Sequence, residues 1–85
     1  MHWNHRVMIR HHEGTDETSM GIREVFYDDD GTIDGWTADD MDPHGETLEE
    51  LRADLERMLA CLERPVLDER VEEARAERRR TKGQP

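Results

Sequence analysis

Apolar and polar side chains alternate weakly in residues 3–12, with the two-residue period of a β-strand. In residues 3–12 the alternation places Val7 and Ile9 on one face. The next two stretches are rich in β-branched and aromatic side chains and are separated by Asp30-Gly31, a strong hairpin signal because glycine adopts the positive φ that the turn requires. The pattern predicts an antiparallel sheet of three strands, at residues 3–12, 20–27 and 32–37.

A longer stretch that follows has the period of an amphipathic helix. Thr47 and Glu50 match a capping box, and Pro65 predicts the end of the helix. Between them lies a stripe about 100° wide, the usual width of a core-facing helix surface. Its members are Leu48, Leu51, Leu55, Met58, Leu59 and Leu62. We predict a helix at residues 47–63 that packs this stripe on one face of the sheet, so that Leu55→Ala costs roughly 2–5 kcal/mol.

After Asp68 the chain offers few apolar side chains and no stripe to bury, although its helix propensity is high. The fold class predicted is therefore α+β: a three-stranded antiparallel sheet, one amphipathic helix on one face, and a mobile C-terminal tail. Eighty-five residues allow one domain at most. We expect that domain at residues 1–67 and a charged tail, either a helical extension or disordered, at residues 68–85.

The charge of the chain indicates which class of partner it binds. The formal net charge is −10, and the part between Glu13 and Asp68 holds 18 acidic and four basic side chains, a net of −14. Such a surface repels phosphate and attracts basic surfaces. We therefore expect no direct binding to nucleic acid and a basic protein as partner. The alternative is that the acidic side chains serve only to keep a small domain soluble.

The acidic residues that we expect to contact a partner lie in the hairpin turn, the loop after the third strand and the predicted helix. They are Asp28, Asp29, Asp30, Asp34, Asp39, Asp40, Asp42, Glu46, Glu49 and Glu56. On the helix, Arg52 is placed to pair with both Glu49 and Glu56, so a salt-bridged solvent face is the alternative there.

The chain carries no motif of a known chemistry. It has no phosphate-binding glycine loop, nucleophile elbow or paired metal-ligand spacing, so we predict no enzyme activity, no cofactor and no metal site. Residues 30–35 resemble the start of a calcium loop, but Met41 stands where a bidentate carboxylate is required. The five histidines are expected to be exposed, and Cys61 to flank the apolar stripe as a free thiol.

The stretch from Gly21 to Leu62 is similar to the core of HicB-like antitoxins. In that family a hairpin and strand lead through a G-(E/D)-T-L-E-E segment, here Gly45 to Glu50, into an amphipathic helix. The resemblance implies a regulatory module that binds a small basic RNase toxin with its helix or its sheet edge.

The whole chain also resembles anti-CRISPR proteins, which are small, acidic, single-domain products of phages or mobile elements. That resemblance rests on size, charge and the lack of catalytic motifs. It implies an inhibitor that occupies a nucleic-acid channel of a type I surveillance complex (Cascade).

These observations lead to one expected function and one alternative. We expect a non-enzymatic inhibitor that binds a basic nucleic-acid-binding surface of a CRISPR surveillance complex and blocks target DNA by charge mimicry. The alternative is the HicB-like antitoxin. A single cysteine and an amino terminus without an apolar run predict the cytoplasm of a bacterial host and no membrane association. We expect a monomer, with a dimer left open.

Overall fold

A computed structural model describes residues 2–82, apart from the side chains of residues 81 and 82, as one four-stranded sheet with two helices. The strands are β1 (His2–His11), β2 (Thr18–Tyr27), β3 (Ile33–Trp36) and β4 (Leu67–Asp68). The helices are α1 (Leu48–Ala60), which continues into a 3₁₀ turn (Cys61–Glu63), and α2 (Glu69–Lys82). Met1 and residues 83–85, which the predicted domain and tail include, lie outside the described residues.

The strand order is β3-β2-β1-β4, with β1, β2 and β3 antiparallel and β4 parallel to β1. The α+β class is confirmed, whereas three strands and one helix is wrong. The missed strand, β4, pairs only Leu67 and Asp68 with β1. Two residues are too few for a periodic pattern, so only the tertiary pairing defines this strand.

A mobile tail is wrong, because α2 occupies most of residues 68–85 and packs on β1. Of the two forms left open for this segment, the structure contains the helix. Its contacts are made by charged side chains rather than by an apolar stripe. Glu72 is buried, Glu69 pairs with Arg23 of β2, and Arg79 donates to the Ile33 carbonyl (2.7 Å) and to Asp28 (3.2 Å). A search for apolar periodicity does not detect a helix held in this way.

Asp68, the last residue of β4, caps the start of α2 and connects the helix to the sheet. Its carboxylate accepts hydrogen bonds from the backbone N–H groups of Arg70 (2.9 Å) and Val71 (3.3 Å), and it lies 3.0 Å from Nε2 of His11 on β1. The hydrogen bond with His11, followed by those from the helix amides, lowers the pKa of Asp68. The ionised carboxylate is therefore the form that the fold stabilises.

Opposite residues of β1 and β2 share a face, and the two faces are buried unequally. One face carries Val7 opposite Ile22, and only Val7 of that pair is buried. The other face carries Met8, Arg23 and Val25, each with no exposed surface. The deepest core thus lies on the face that includes an arginine, not on the face with the more regular apolar alternation.

Helix α1 begins where predicted, with Thr47 as its cap, but it ends at Ala60 rather than at residue 63. The carboxylate half of the capping box binds Glu46 rather than Thr47. The Thr47 hydroxyl accepts from the Glu50 N–H (3.1 Å), and the Glu50 carboxylate accepts from the N–H of Glu46 (2.8 Å). Two acidic residues, Glu49 and Glu50, lie in its first turn, where the helix dipole favours negative charge.

The predicted packing of α1 by its leucine stripe is wrong. Met58 and Cys61 are buried, and Leu51 and Asp54 are half-buried. The exposed fractions of the other stripe members are 74% for Leu48, 48% for Leu55, 67% for Leu59 and 58% for Leu62. At roughly 100° per residue, the buried line is rotated by about 70° from the predicted one.

Two contacts hold α1 in this orientation. Asp54 accepts the backbone N–H of His44 (2.8 Å), which ties the preceding loop to this side of the helix. Cys61, expected at the edge of the stripe, is fully buried where the 3₁₀ turn contacts β1, and burial raises the pKa of its thiol. The hydrogen bond from His44 to Asp54 and the burial of the small Cys61 side chain therefore decide which side of α1 faces inward.

Met58→Ala is expected to lower the free energy of unfolding by about 2–5 kcal/mol, because it leaves a cavity beneath α1. Leu59→Ala, one residue along the same helix, is expected to change it by about 0.5 kcal/mol or less, because that side chain is mostly in solvent. Urea unfolding of both variants measures the difference. Equal losses would contradict the observed orientation of α1.

Asp68→Ala is expected to destabilise the protein at neutral pH and to have little effect in acid. The pKa of Asp68 is lower in the folded chain than in the unfolded chain, so its contribution is present above the unfolded pKa of roughly 4 and is lost as pH falls through the folded value. Thermal unfolding across pH measures this. Asp68→Asn retains a helix cap and removes the charge, so it separates the cap from the contact with His11. A loss for Asp68→Ala that does not vary with pH would contradict the role of the carboxylate.

Candidate partner-binding surface

The guanidinium of Arg23 organises the acidic part of the chain. It has no exposed surface, and its Nε donates to Asp40 (2.9 Å) while Nη1 donates to the Thr37 carbonyl (2.9 Å) and to Glu69 (3.0 Å). Nη2 is buried without a hydrogen-bond partner. One side chain of β2 thus joins the loop after β3 to the first turn of α2.

Neighbouring groups complete this attachment of the loop. Arg10 reaches Glu69 (3.6 Å) and donates to the carbonyl of Ala38, and the N–H of Met41 donates to the Ile22 carbonyl (2.7 Å). Gly21 leaves the space that the Asp40 carboxylate fills, since a Cβ at that position would overlap it. The acidic loop is therefore held against the sheet by ion pairs as well as by backbone hydrogen bonds.

The pKa of Arg23 reflects both burial and pairing. Burial lowers it, but hydrogen bonds with Asp40 and Glu69 and the attraction of both carboxylates more than offset this, so the pKa is raised. The guanidinium stays charged inside the protein, and a charge there requires its partners to remain in place.

Some predicted contact residues are engaged within the chain. Asp40 pairs with Arg23, and Asp28 pairs with Arg79 (3.2 Å) and accepts from the Thr32 N–H (3.1 Å). Asp30 accepts from the same N–H (2.9 Å). A hydrogen bond with Asp28, followed by those with Thr32, lowers the pKa of Asp30 to about 2. These carboxylates shape the loop and the hairpin turn, where the exposed Asp29 also lies.

Six other predicted residues point into solvent. Their side chains make no hydrogen bond or ion pair with any residue of the described chain, and all six are exposed. They are Asp34 on β3, Asp39 and Asp42 in the following loop, Glu46 before α1, and Glu49 and Glu56 on α1. Arg52 pairs with neither Glu49 nor Glu56, so the salt-bridged helix face is not what the structure contains.

A groove of about 820 Å³ lies between β3 and α2. Trp36 contributes an aromatic wall, while Asp34, Glu73 and two arginines of α2 give it mixed charge. Sequence reasoning missed Arg79 and Arg80 as parts of this surface, because α2 was expected to be mobile. The only signal available was the high helix propensity of the segment.

The histidines differ from the expectation of uniform exposure. His5 is buried and makes an edge-to-face contact with Trp3, and His11 is half-buried beside Asp68. Within residues 2–82, no group of three or more histidine, cysteine, aspartate or glutamate side chains is arranged to hold a metal ion. The described helices include none with the length and apolar character needed to cross a bilayer.

Arg23→Met is expected to lower the free energy of unfolding by about 3 kcal/mol, because it leaves the partly buried Glu69 without its main partner. Arg52→Met is the matched control: Arg52 is exposed and unpaired in the described chain, so about 0.5 kcal/mol or less is expected. Urea unfolding measures both. A loss for Arg23→Met as small as for the control would contradict its role.

Comparisons with known proteins supply no relative from which to transfer a function. No protein-family model, no curated protein and no solved structure matches this chain. A function is therefore inferred from the chain's own residues.

Proposed function

We propose that this protein is a non-enzymatic inhibitor that binds a basic nucleic-acid-binding surface of a CRISPR surveillance complex of type I and blocks target DNA by charge mimicry. The observation that carries the proposal is the set of six exposed carboxylates, from Asp34 to Glu56, without a cation in the described chain. Their charge is available to a partner rather than used in folding.

The internal ion pairs support the same proposal. Arg23 holds the loop through Asp40, and Arg79 holds the hairpin turn through Asp28. Carboxylates on a positioned backbone lose less conformational freedom on binding than carboxylates on a disordered chain. Phosphates along one DNA strand recur about every 3.4 Å of helix axis, and several exposed carboxylates on adjacent segments offer a comparable series of negative charges to a basic groove.

Charge pairing of this kind has a kinetic signature. Complementary fields raise the rate of association, and salt reduces it. Because the carboxylates are exposed, screening acts on them fully. Inhibition is therefore expected to weaken with rising salt.

A mobility-shift assay with a purified type I surveillance complex and target double-stranded DNA tests the proposal. The protein is expected to abolish the DNA shift at about 50 mM salt and to inhibit more weakly at about 500 mM. The triple variant Asp34→Asn, Asp39→Asn, Asp42→Asn is expected to inhibit at least about tenfold less strongly, a change of about 1.4 kcal/mol in binding free energy.

The matched control removes the same amount of charge elsewhere. Glu13→Gln, Asp16→Asn and Glu17→Gln lie in the exposed β1–β2 turn and lower the net charge equally. This variant is expected to inhibit like the unaltered protein. An unchanged DNA shift with the unaltered protein, or equal loss in both triple variants, would refute site-specific mimicry.

A second candidate function is a HicB-like antitoxin that covers a small basic RNase. The observation that favours it is β4, which follows α1 and pairs in parallel beside β1. In HicB-like antitoxins a strand follows this helix. The sequence pattern here shows no such strand, and β4 supplies one. Co-purification with the product of an adjacent gene for a small basic RNase, together with loss of its RNase activity, would support this function over the first.

A further inference from the structure

Helix α1 and the 3₁₀ turn that continues it expose most of the leucines that the sequence places on one side. Leu48, Leu55, Leu59 and Leu62 are between 48% and 74% exposed. We call these four residues the leucine face. Single exposed leucines are ordinary, but a contiguous row of exposed leucines is typical of a surface that binds another protein.

The spacing of the leucine face suits a helix as its partner. Leu48, Leu55 and Leu62 recur every seven residues, and Leu59 fills the gap between the last two. Seven-residue spacing keeps side chains nearly in line along a helix, with a drift of roughly 20° per repeat. From Leu48 to Leu59 the row is about 17 Å long at 1.5 Å per residue, about three turns of a partner helix, and the 3₁₀ turn extends it to Leu62.

The side of α1 next to this face is acidic. Glu49, Glu56 and Glu63 each follow one of the heptad leucines, are exposed, and make no hydrogen bond or ion pair in the described chain. At about 100° per residue they form a second row, about a quarter turn around the helix from the leucines. Arg52, which is exposed and unpaired in the described chain, lies between the two rows at the same spacing. A partner that carries lysine or arginine along the edge of its apolar stripe would complement both rows.

The same charges argue against a second copy of this chain. Two copies joined through this face would bring two rows of glutamates together, on chains that each carry a net charge of −10. Like charges placed together in an interface weaken association. The charge pattern therefore selects a basic partner.

We propose that the leucine face is a docking surface for a basic amphipathic helix of a protein partner. The partner's apolar side chains cover Leu48, Leu55, Leu59 and Leu62, and its lysine or arginine side chains pair with the neighbouring glutamates. This surface shares Glu49 and Glu56 with the six exposed carboxylates but is separate from the aspartates of β3 and its following loop. The proposal does not require that the partner handle nucleic acid.

The test uses the intact protein and a defined peptide. The probe is a fluorescently labelled 18-residue peptide with leucines at heptad positions a and d and lysine or arginine elsewhere. A scrambled peptide of the same composition keeps the charge and loses the apolar stripe. Fluorescence anisotropy in about 150 mM salt is expected to show the patterned peptide binding at least about tenfold more tightly than the scrambled one.

Two protein variants locate the binding. Leu55→Gln with Leu59→Gln changes no charge and is expected to weaken binding at least about tenfold. Met20→Gln is the matched control, because Met20 is 66% exposed on β2 and lies outside the leucine face. It is expected to bind like the unaltered protein. Thermal unfolding of each variant confirms that the fold is retained, as expected for side chains mostly in solvent.

Three results would overturn the proposal. Equal binding of the patterned and scrambled peptides would show attraction by charge alone. Unchanged binding by the leucine variant would place the peptide elsewhere. A dimer of the unaltered protein in analytical ultracentrifugation, absent in the leucine variant, would make a second copy the occupant. The aspartate variants test charge mimicry independently, since they leave the leucine face intact.

Discussion

The fold depends on a charged group that has no exposure to solvent. Arg23 stands in the middle of the sheet, and its guanidinium binds the loop after β3 through Asp40 and the start of α2 through Glu69. A buried guanidinium is costly unless carboxylates and carbonyls surround it. The contacts that neutralise Arg23 therefore also attach the acidic loop and α2 to the sheet. They do so in a chain of which 33% is hydrophobic and 40% charged.

This arrangement divides the acidic residues into two groups with different roles. Asp40, Glu69 and Asp68 make contacts within the fold, where they pair with arginine, bind a histidine or cap a helix. The side chains of the other group make no hydrogen bond or ion pair in the described chain, and the group consists of Asp34, Asp39, Asp42, Glu46, Glu49 and Glu56. Net charge alone does not separate the groups, because both contribute equally to it. What distinguishes them is whether a basic side chain from a distant part of the chain reaches them.

The apolar residues of helix α1 also fall into two groups, one buried and one exposed to solvent. The capping box predicted its start, and the leucine spacing correctly placed one side of the helix as apolar. Which side faces inward was decided by Met58, Cys61 and the bond from His44 to Asp54. The leucine face was left to solvent. Core burial and partner binding use the same residue types, so hydropathy does not tell them apart.

The sequence by itself determined the α+β class, the three antiparallel strands, the hairpin at Asp30-Gly31 and the cap at Thr47. All of these depend on neighbours within a few residues, where local sterics and hydrogen bonding dominate. It also determined that the surface is acidic. Only the tertiary structure decided the pairing of β4 with β1, the docking of α2, the inward side of α1 and the use of Asp28 and Asp40 within the fold. Each of these features requires contacts between residues that are not neighbours in the sequence. Arg23 and Arg79, the ion-pair partners of Asp40 and Asp28, are recognised by their position in space and not by any local sequence pattern.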